Sequence, residues 1–443
     1  MAGRSSTLLL PAIVCSSPRE HRQWTDANRP QRSRAWKDIH VNLSDTARQI
    51  EAELIALRRE LHRHPEPGLE LPWTQRRLLD ELEQLPVEVT LGTTSSSITA
   101  VLRGGAVTVA PAPAVLIRGD MDALPVTEDT GLSFASEIPG AMHACGHDLH
   151  MTMAVGAARI LAAHREELVG DVVFMFQPGE EGHDGAQRML DEGVLDASGT
   201  RVSAAYALHV FSSQIPHGKF MVREGAVMSA SDTVIFRVRG KGGHGSTPHR
   251  AIDPISASAA MIHSLHQMVT REISPFRPVV LSFGAINGGH IENVIPDVVE
   301  VKATVRSFDD ETRRHMQEAI IRVLRGVAEA HRVDVEIDYT LLYPPTVNAA
   351  EECELAREVI TELFGEDRVL TAVEPMSASE DFSKVLARVP GIFIPIGAGH
   401  PDVEVEDGPF NHAPQADFTE GILWEGAALL AGLASVRLAR LVG

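Results

Sequence analysis

At 443 residues the chain exceeds the ~250–300 residues that one hydrophobic core normally serves, so two folded units are expected. Its apolar content of 44% and charged content of 23% are those of an ordinary globular protein, while a net charge of −20 argues against nucleic acid or an anionic membrane as partner. Cys15, Cys145 and Cys353 are widely spaced and odd in number, which argues against a disulfide framework and for a reducing, cytoplasmic compartment.

Residues 1–43 open with Arg4 and a short apolar stretch, Leu8 to Val14, that Pro11 interrupts. They are expected to form a disordered or targeting extension, the polar, Arg-rich remainder favouring disorder over a signal. Ser44 or Asp45 is expected to cap a helix carrying Ile50, Leu54, Leu57 and Leu61, which Pro65 stops. Three apolar strands follow, each running into a polar turn: Ala114–Ile117 into Arg118 to Asp122, Val172–Phe176 into Gln177 to Gly182, and Ala204–Leu208 into His209. Helices alternating with such strands predict an α/β fold with a mainly parallel sheet, and ligands of such sheets bind beyond the carboxyl ends of the strands. Residues 44–227 and 342–443 are assigned to this catalytic domain.

Residues 228–341 have a different rhythm. Strands at Ser231–Arg239, Val279–Phe283, Val298–Arg306 and Val333–Tyr339 enclose helices at Asp253–Arg271 and Glu311–His331. That order, βαββαβ, is the ferredoxin-like unit, and it is expected here as an inserted second domain. The longest late apolar run, Gly426 to Val436, is far short of the ~20 residues a membrane span needs.

Four places carry potential chemistry. Cys145 and His147, two apart on an extended segment, would face one side and share a metal, although each alone is commonly a core residue. In Gly179-Glu180-Glu181-Gly182 one carboxylate can ligate metal while its neighbour serves as general base. Taken alone, the pair equally suits a solvated acidic loop. His209, ending a buried strand, needs a hydrogen bond or a metal, and His412 stands in Gly408-Pro409-Phe410-Asn411-His412. Together Cys145, His147, Glu181, His209 and His412 supply enough N, O and S donors for two ions about 3.5–4 Å apart.

Arg58-Arg59-Glu60-Leu61-His62-Arg63-His64-Pro65-Glu66, Asp120-Met121-Asp122-Ala123-Leu124-Pro125, Cys145-Gly146-His147-Asp148 and Pro178-Gly179-Glu180-Glu181-Gly182 stand in that order. They continue with Gly242-Gly243-His244-Gly245-Ser246, Asn293-Val294-Ile295-Pro296-Asp297, Ser379-Glu380-Asp381-Phe382 and Asn411-His412-Ala413-Pro414. In this set the chain resembles the dinuclear metallopeptidase superfamily of aminoacylase and carboxypeptidase G. Within it, the match is to the amidohydrolase branch of hippurate hydrolase, N-acetyl-amino-acid deacetylases and indole-acetyl-amino-acid hydrolases.

The resemblance implies hydrolysis of N-acyl or aryl-acyl amino acids on two divalent ions (Zn, Mn, Co or Ni), with dipeptide cleavage or a non-catalytic binding role as the rival readings. It implies Cys145, His147, Glu181, His209 and His412 as ligands, Cys145 as a bridge, Glu180 as general base, and Asp122 as the carboxylate that orients a ligand. It implies His244 as oxyanion donor reaching a partner subunit, Asn293 and Arg306 as substrate contacts, and a homodimer formed through the inserted lid. Other branches carry a His where Asp120 stands, so Asp120 is not expected among the ligands, and His62, His64 and His150 are left as structural.

Overall fold

The computed structural model describes residues 43–442; the expectations for Cys15 and the extension fall outside these residues. Residues 43–49 are already helical, with Ser44 and Asp45 inside the helix rather than capping it, and a break at Ile50 precedes α1 (Glu51–Arg63). His64 and Pro65 then end α1, since the residue before a proline is driven out of the helical region.

In chain order there follow α2 (Pro72–Leu82), β1 (Val87–Leu91), β2 (Ile98–Leu102), β3 (Ala114–Asp120), α3 (His147–Ala163), β4 (Asp171–Gln177), α4 (Gly185–Asp191) and β5 (Ala205–Phe211). Next are β6 (Phe220–Val222), β7 (Gly225–Met228), β8 (Ser231–Arg239), β9 (Gly243–His244), α5 (Pro254–Glu272), β10 (Val279–Asn287) and β11 (Val294–Ile295). β12 (Val298–Ser307), α6 (Asp310–His331), β13 (Asp334–Tyr343), β14 (Thr346–Asn348), α7 (Ala350–Phe364), β15 (Val369–Thr371), α8 (Ser383–Leu386), β16 (Gly391–Gly397) and α9 (Leu423–Val442) complete the described chain.

An eight-stranded sheet has the order β1-β2-β4-β3-β5-β16-β6-β15. Its centre, β4-β3-β5-β16, is parallel throughout, and antiparallel pairing is confined to β1/β2, β2/β4 and the short β16/β6 contact. Strands buried on both faces read as unbroken apolar runs, which is why β3, β4 and β5 stand out in the sequence. Alternation turns Ala114, Leu116, Val173, Met175, Ala205 and Ala207 into one apolar cluster with α4 and α8, while α3 and α9 pack on the other face.

A second sheet is antiparallel, in the order β10-β12-β8-β13. It has its own apolar cluster, in which Val234, Phe236, Val301 and Val305 meet Met261 and Leu265 of α5 and Met316, Ile320 and Leu324 of α6. Asp253 and Asp309 cap the two helices by accepting from Ile255 N and Thr312 N.

The helix Glu420–Val442 is long and apolar enough to cross a membrane, longer than the run Gly426 to Val436 suggested. Inside the fold 83% of its apolar window is buried, largely against α3, so its apolar faces are consumed by core packing.

Candidate active site

The three strand ends meet, but the strands run further than their apolar stretches. β3 continues through Arg118 and Asp120, β4 through Gln177, and β5 through His209 to Phe211. These polar residues were expected in turns; parallel pairing to neighbours carries them into the sheet, where Asp120 faces Gln177 in register. The alternation that points Leu116 into the core therefore points Arg118 and Asp120 the same way.

Asp122, just beyond β3, holds the next turn in place. Its Oδ1 accepts from Glu180 N at 2.9 Å and its Oδ2 from Glu181 N at 3.0 Å. Glycines at φ +73° and +82° (Gly179 and Gly182) allow the turn that brings both glutamates inward. His147 Nδ1 lies 2.7 Å from the Asp122 backbone oxygen, so this nitrogen donates and Nε2 is turned toward the clustered donors. His147 Nδ1 is thus held by the Asp122 carbonyl with the Asp122 carboxylate at 3.7 Å, and the same carboxylate also organises the glutamate turn.

Cys145 and His147 do not share an extended segment as expected. Gly146 adopts φ +83° between them, and His147 begins α3. A Cβ at Gly146 would sit 2.3 Å from Val210 Cγ2, so the close turn excludes any other residue. Cys145 Sγ lies 3.4 Å from His209 Nε2 and 3.3 Å from His412 Nε2. His209 Nδ1 donates to Val210 O at 2.9 Å, which again leaves Nε2 facing the thiol. His412 has φ +72°, a costly conformation for a non-glycine residue. Its neighbour Asn411 pins the loop, donating to Val210 O at 2.9 Å and accepting from Ser212 N at 3.0 Å. Glu181 Oε1 completes the cluster, 3.0 Å from His412 Nε2.

All five residues expected as ligands are therefore brought together, with Glu180 beside them. Donor atoms of Cys145, His147 and His209 lie within 4.8 Å of one another; the same limit holds for Cys145, Glu181 and His412, and for His147, Glu180 and Glu181. The buried His147 Nε2 has no hydrogen-bond partner and lies 3.4 Å from Asp120 Oδ2, a place that a cation could take. Burial drives His209 well below its ordinary pKa, keeping it neutral, which is the ligating form. Hydrogen bonds to Cys145 and Glu181 push His412 up to about 10. Burial, with Glu380, Glu181 and Asp381 nearby, raises the Glu180 carboxyl well above the usual carboxylate range.

Beneath the cluster lies a polar network whose chemistry was not read from the sequence. Arg118, fully buried, donates to Asp120 Oδ2 at 2.6 Å, Glu380 Oε1 at 2.7 Å, Asp381 Oδ1 at 3.3 Å and Gln177 Oε1 at 3.0 Å. His150, left as structural, joins Asp120 to β5: Nδ1 donates to Asp120 Oδ1 at 2.7 Å and Nε2 accepts from Val210 N at 2.8 Å. Both Asp120 oxygens are engaged, by Arg118 and by His150, although its donor atoms also lie within 4.8 Å of those of His147 and His150. Arg306 lies on β12 of the second sheet, His244 on the separate two-stranded β9/β11 sheet, and Asn293 just before β11. His244 pairs with Val294, Gly245 N donates to Asn293 O at 2.8 Å, and Arg306 donates to Val305 O. No hydrogen bond or ion pair joins these three to the cluster among the described residues. A cavity of about 550 Å³ is lined by Glu272, Arg277, Glu311, Arg314 and His315, and none of the clustered donors lines it.

N, O and S donors gathered beyond parallel strand ends, next to one buried carboxylate, define a metallohydrolase type of centre. The family model for peptidase family M20/M25/M40 matches residues 116–435, and the chain belongs to that family. It is 33% identical over 364 residues to thermostable carboxypeptidase 1 of Saccharolobus solfataricus, covering 81% of this chain and 89% of that protein. It is 35% identical over 342 residues to hippurate hydrolase of Campylobacter jejuni, covering 77% of this chain and 87% of that protein. A Bacillus subtilis structure described as a dinuclear metal binding peptidase of the M20 family superposes with a TM-score of 0.75 at 31% identity, covering 88% of this chain and 99% of that one.

Proposed function

We propose that the chain is a metal-dependent amidohydrolase that splits N-acyl amino acids, the acyl group being acetyl, benzoyl or aryl-acetyl, into a carboxylic acid and a free amino acid. The observation that carries this reading is the position of Cys145 Sγ, common to two donor groups that also take in His147, His209, Glu181 and His412, with Glu180 alongside. The Nε2 atoms of His147 and His209, the latter facing the Cys145 thiol, and the carboxylate of Glu181 fit a pair of divalent cations, and the N, O, S mixture admits Zn²⁺, Mn²⁺, Co²⁺ or Ni²⁺. When bound, such ions supply Lewis acidity and make water a better nucleophile at neutral pH.

Glu180 takes the proton of the attacking water and returns it to the departing amine nitrogen. Asp122 keeps Glu180 and Glu181 at fixed height by accepting from both amides. The second sheet with its two helices serves as an inserted lid and dimerisation domain over residues 228–341. From it His244 donates to the oxyanion in the active site of the partner subunit, while Asn293 and the fork of Arg306 hold the substrate, Arg306 by its carboxylate. Support for pairing comes from β10, an edge strand that exposes Val280 and Ile286. Sedimentation is expected to give a homodimer; a fully active monomer would refute the cross-subunit role.

Hippurate hydrolase among the relatives favours acyl-amino acids, and the carboxypeptidase favours the rival reading, peptide cleavage by the same centre. A panel of acetyl-, benzoyl- and indole-acetyl-amino acids against dipeptides separates them. Acyl-amino acids are expected to turn over faster, and faster dipeptide turnover overturns the proposal.

A further inference from the structure

Helix α1 presents Arg58 and His62, one turn apart, to the carboxylate that directly follows His147 in the chain. Asp148 Oδ2 lies 2.8 Å from Arg58 Nε and 2.9 Å from His62 Nδ1, and all three residues are fully buried. On the other side of the ring, His62 Nε2 lies 3.2 Å from Glu128 Oε1. Glu128 is itself tied to its loop by Ser136 N at 2.7 Å and by the Thr130 hydroxyl. Phe134 closes over the pair, its ring edge-on to His62 at 5.6 Å and 4.6 Å from the Arg58 guanidinium.

The ring of His62 thus has a carboxylate oxygen at each nitrogen. A neutral imidazole donates from one nitrogen only, and its lone pair would then face a buried carboxylate. Only the doubly protonated ring serves both. Arg58 Nη1 also approaches Glu420 Oε1 at 3.4 Å, so two cations sit among Asp148, Glu128 and Glu420. Although burial opposes the charge, the Asp148 and Glu128 carboxylates outweigh it and raise the His62 pKa.

Asp148 stands in the first turn of α3, where an acidic side chain commonly stays at the helix end. Here the carboxylate turns away to α1, and Gly146 ahead of the helix provides no side-chain cap. We propose that Arg58 and His62 are positioning residues that, through Asp148, fix the first turn of α3 and so the direction in which Cys145 and His147 offer their donor atoms. The proposal rests on the reading of Cys145 and His147 as metal ligands. It gives a role to the Arg58 to Glu66 motif, which hydrolysis itself leaves unused.

The test is Co²⁺ binding to the full-length apoprotein, followed by the visible d–d spectrum, with far-UV circular dichroism recording fold and melting. In His62→Leu and Arg58→Met, Co²⁺ affinity is expected to fall by about 10–100-fold, the usual effect of losing a group that orients a ligand, with an altered spectrum at temperatures where the apoprotein remains folded. Arg58→Lys, which keeps the charge, is expected to recover much of the affinity; His62→Gln provides the same comparison should His62→Leu fail to fold. Folded variants that bind Co²⁺ with wild-type affinity and spectrum, whatever their melting temperature, would reduce these residues to structural ones and overturn the proposal. A wild-type chain that takes up no Co²⁺ would overturn the metal-centre reading, and this proposal with it.

Discussion

Glu180→Gln is expected to keep its full metal content while turnover falls by at least about 10²-fold. The substitution preserves shape, and the peptide it sits in is held independently of the side chain. Glu180 N donates to Asp122 Oδ1 at 2.9 Å, and the Tyr343 hydroxyl donates to Glu180 O at 3.3 Å. What the amide cannot do is accept a proton. Glu180 is also prepared as a base, because burial and the nearby carboxylates of Glu380, Glu181 and Asp381 raise its proton affinity well above that of an ordinary carboxylate. Elemental analysis of the purified variant beside its steady-state rate decides the matter. Surviving turnover would remove Glu180 from the role, and lost metal would mean that it ligates instead.

Arg118→Met should cost about 3–5 kcal/mol of stability, the penalty of stripping the partner from buried charge. The guanidinium is the common donor to Asp120, Glu380 and Asp381, and a thioether leaves the group of acids without it. Already in the wild type, burial raises Glu380 and Asp381 above ordinary carboxylates, helped by repulsion from Asp120 on Glu380 and from Glu380 on Asp381. Without Arg118 they rise further and remain protonated in the folded state, whereas the unfolded chain ionises them near pH 4. The folded variant then binds more protons than the unfolded one, so its stability falls as pH rises from about 4 upward. Urea denaturation at pH 5 and pH 8 should show the larger deficit at pH 8. A deficit below about 1 kcal/mol at both would mean that the acids find other partners.

The contrast between these two residues shows what the sequence makes legible. Glu180 stands out because it follows an unbroken apolar run, has a second carboxylate beside it and is flanked by glycines. Cys145, His147, His209 and His412 are visible through chemical type and place. Arg118 is not, since an arginine after four apolar residues looks like the point where a strand leaves the core. Register with β4 and β5 keeps it inside, and register is a property of pairs of segments. Gln177, His150 and Asn411 escape for the same reason, their partners lying at Asp381, Asp120 and Val210. The second sheet was readable in element order because its outer face is wet and its strands alternate, as β12 does most regularly. Strand ends there ran several residues long, β10 to Asn287 and β13 to Tyr343, where pairing outlasts the apolar signal.

Cys145 and His412 touch across 267 residues of chain. During vectorial synthesis the thiol, His147 and both glutamates emerge long before the last imidazole that completes their cluster. A ribosome-bound chain therefore exposes an incomplete cluster for most of its translation, and loop closure over so great a separation comes late in folding. With these residues as the proposed ligands, stable capture of cations would coincide with the docking of the final segment, and a chain stalled before residue 412 would remain unloaded.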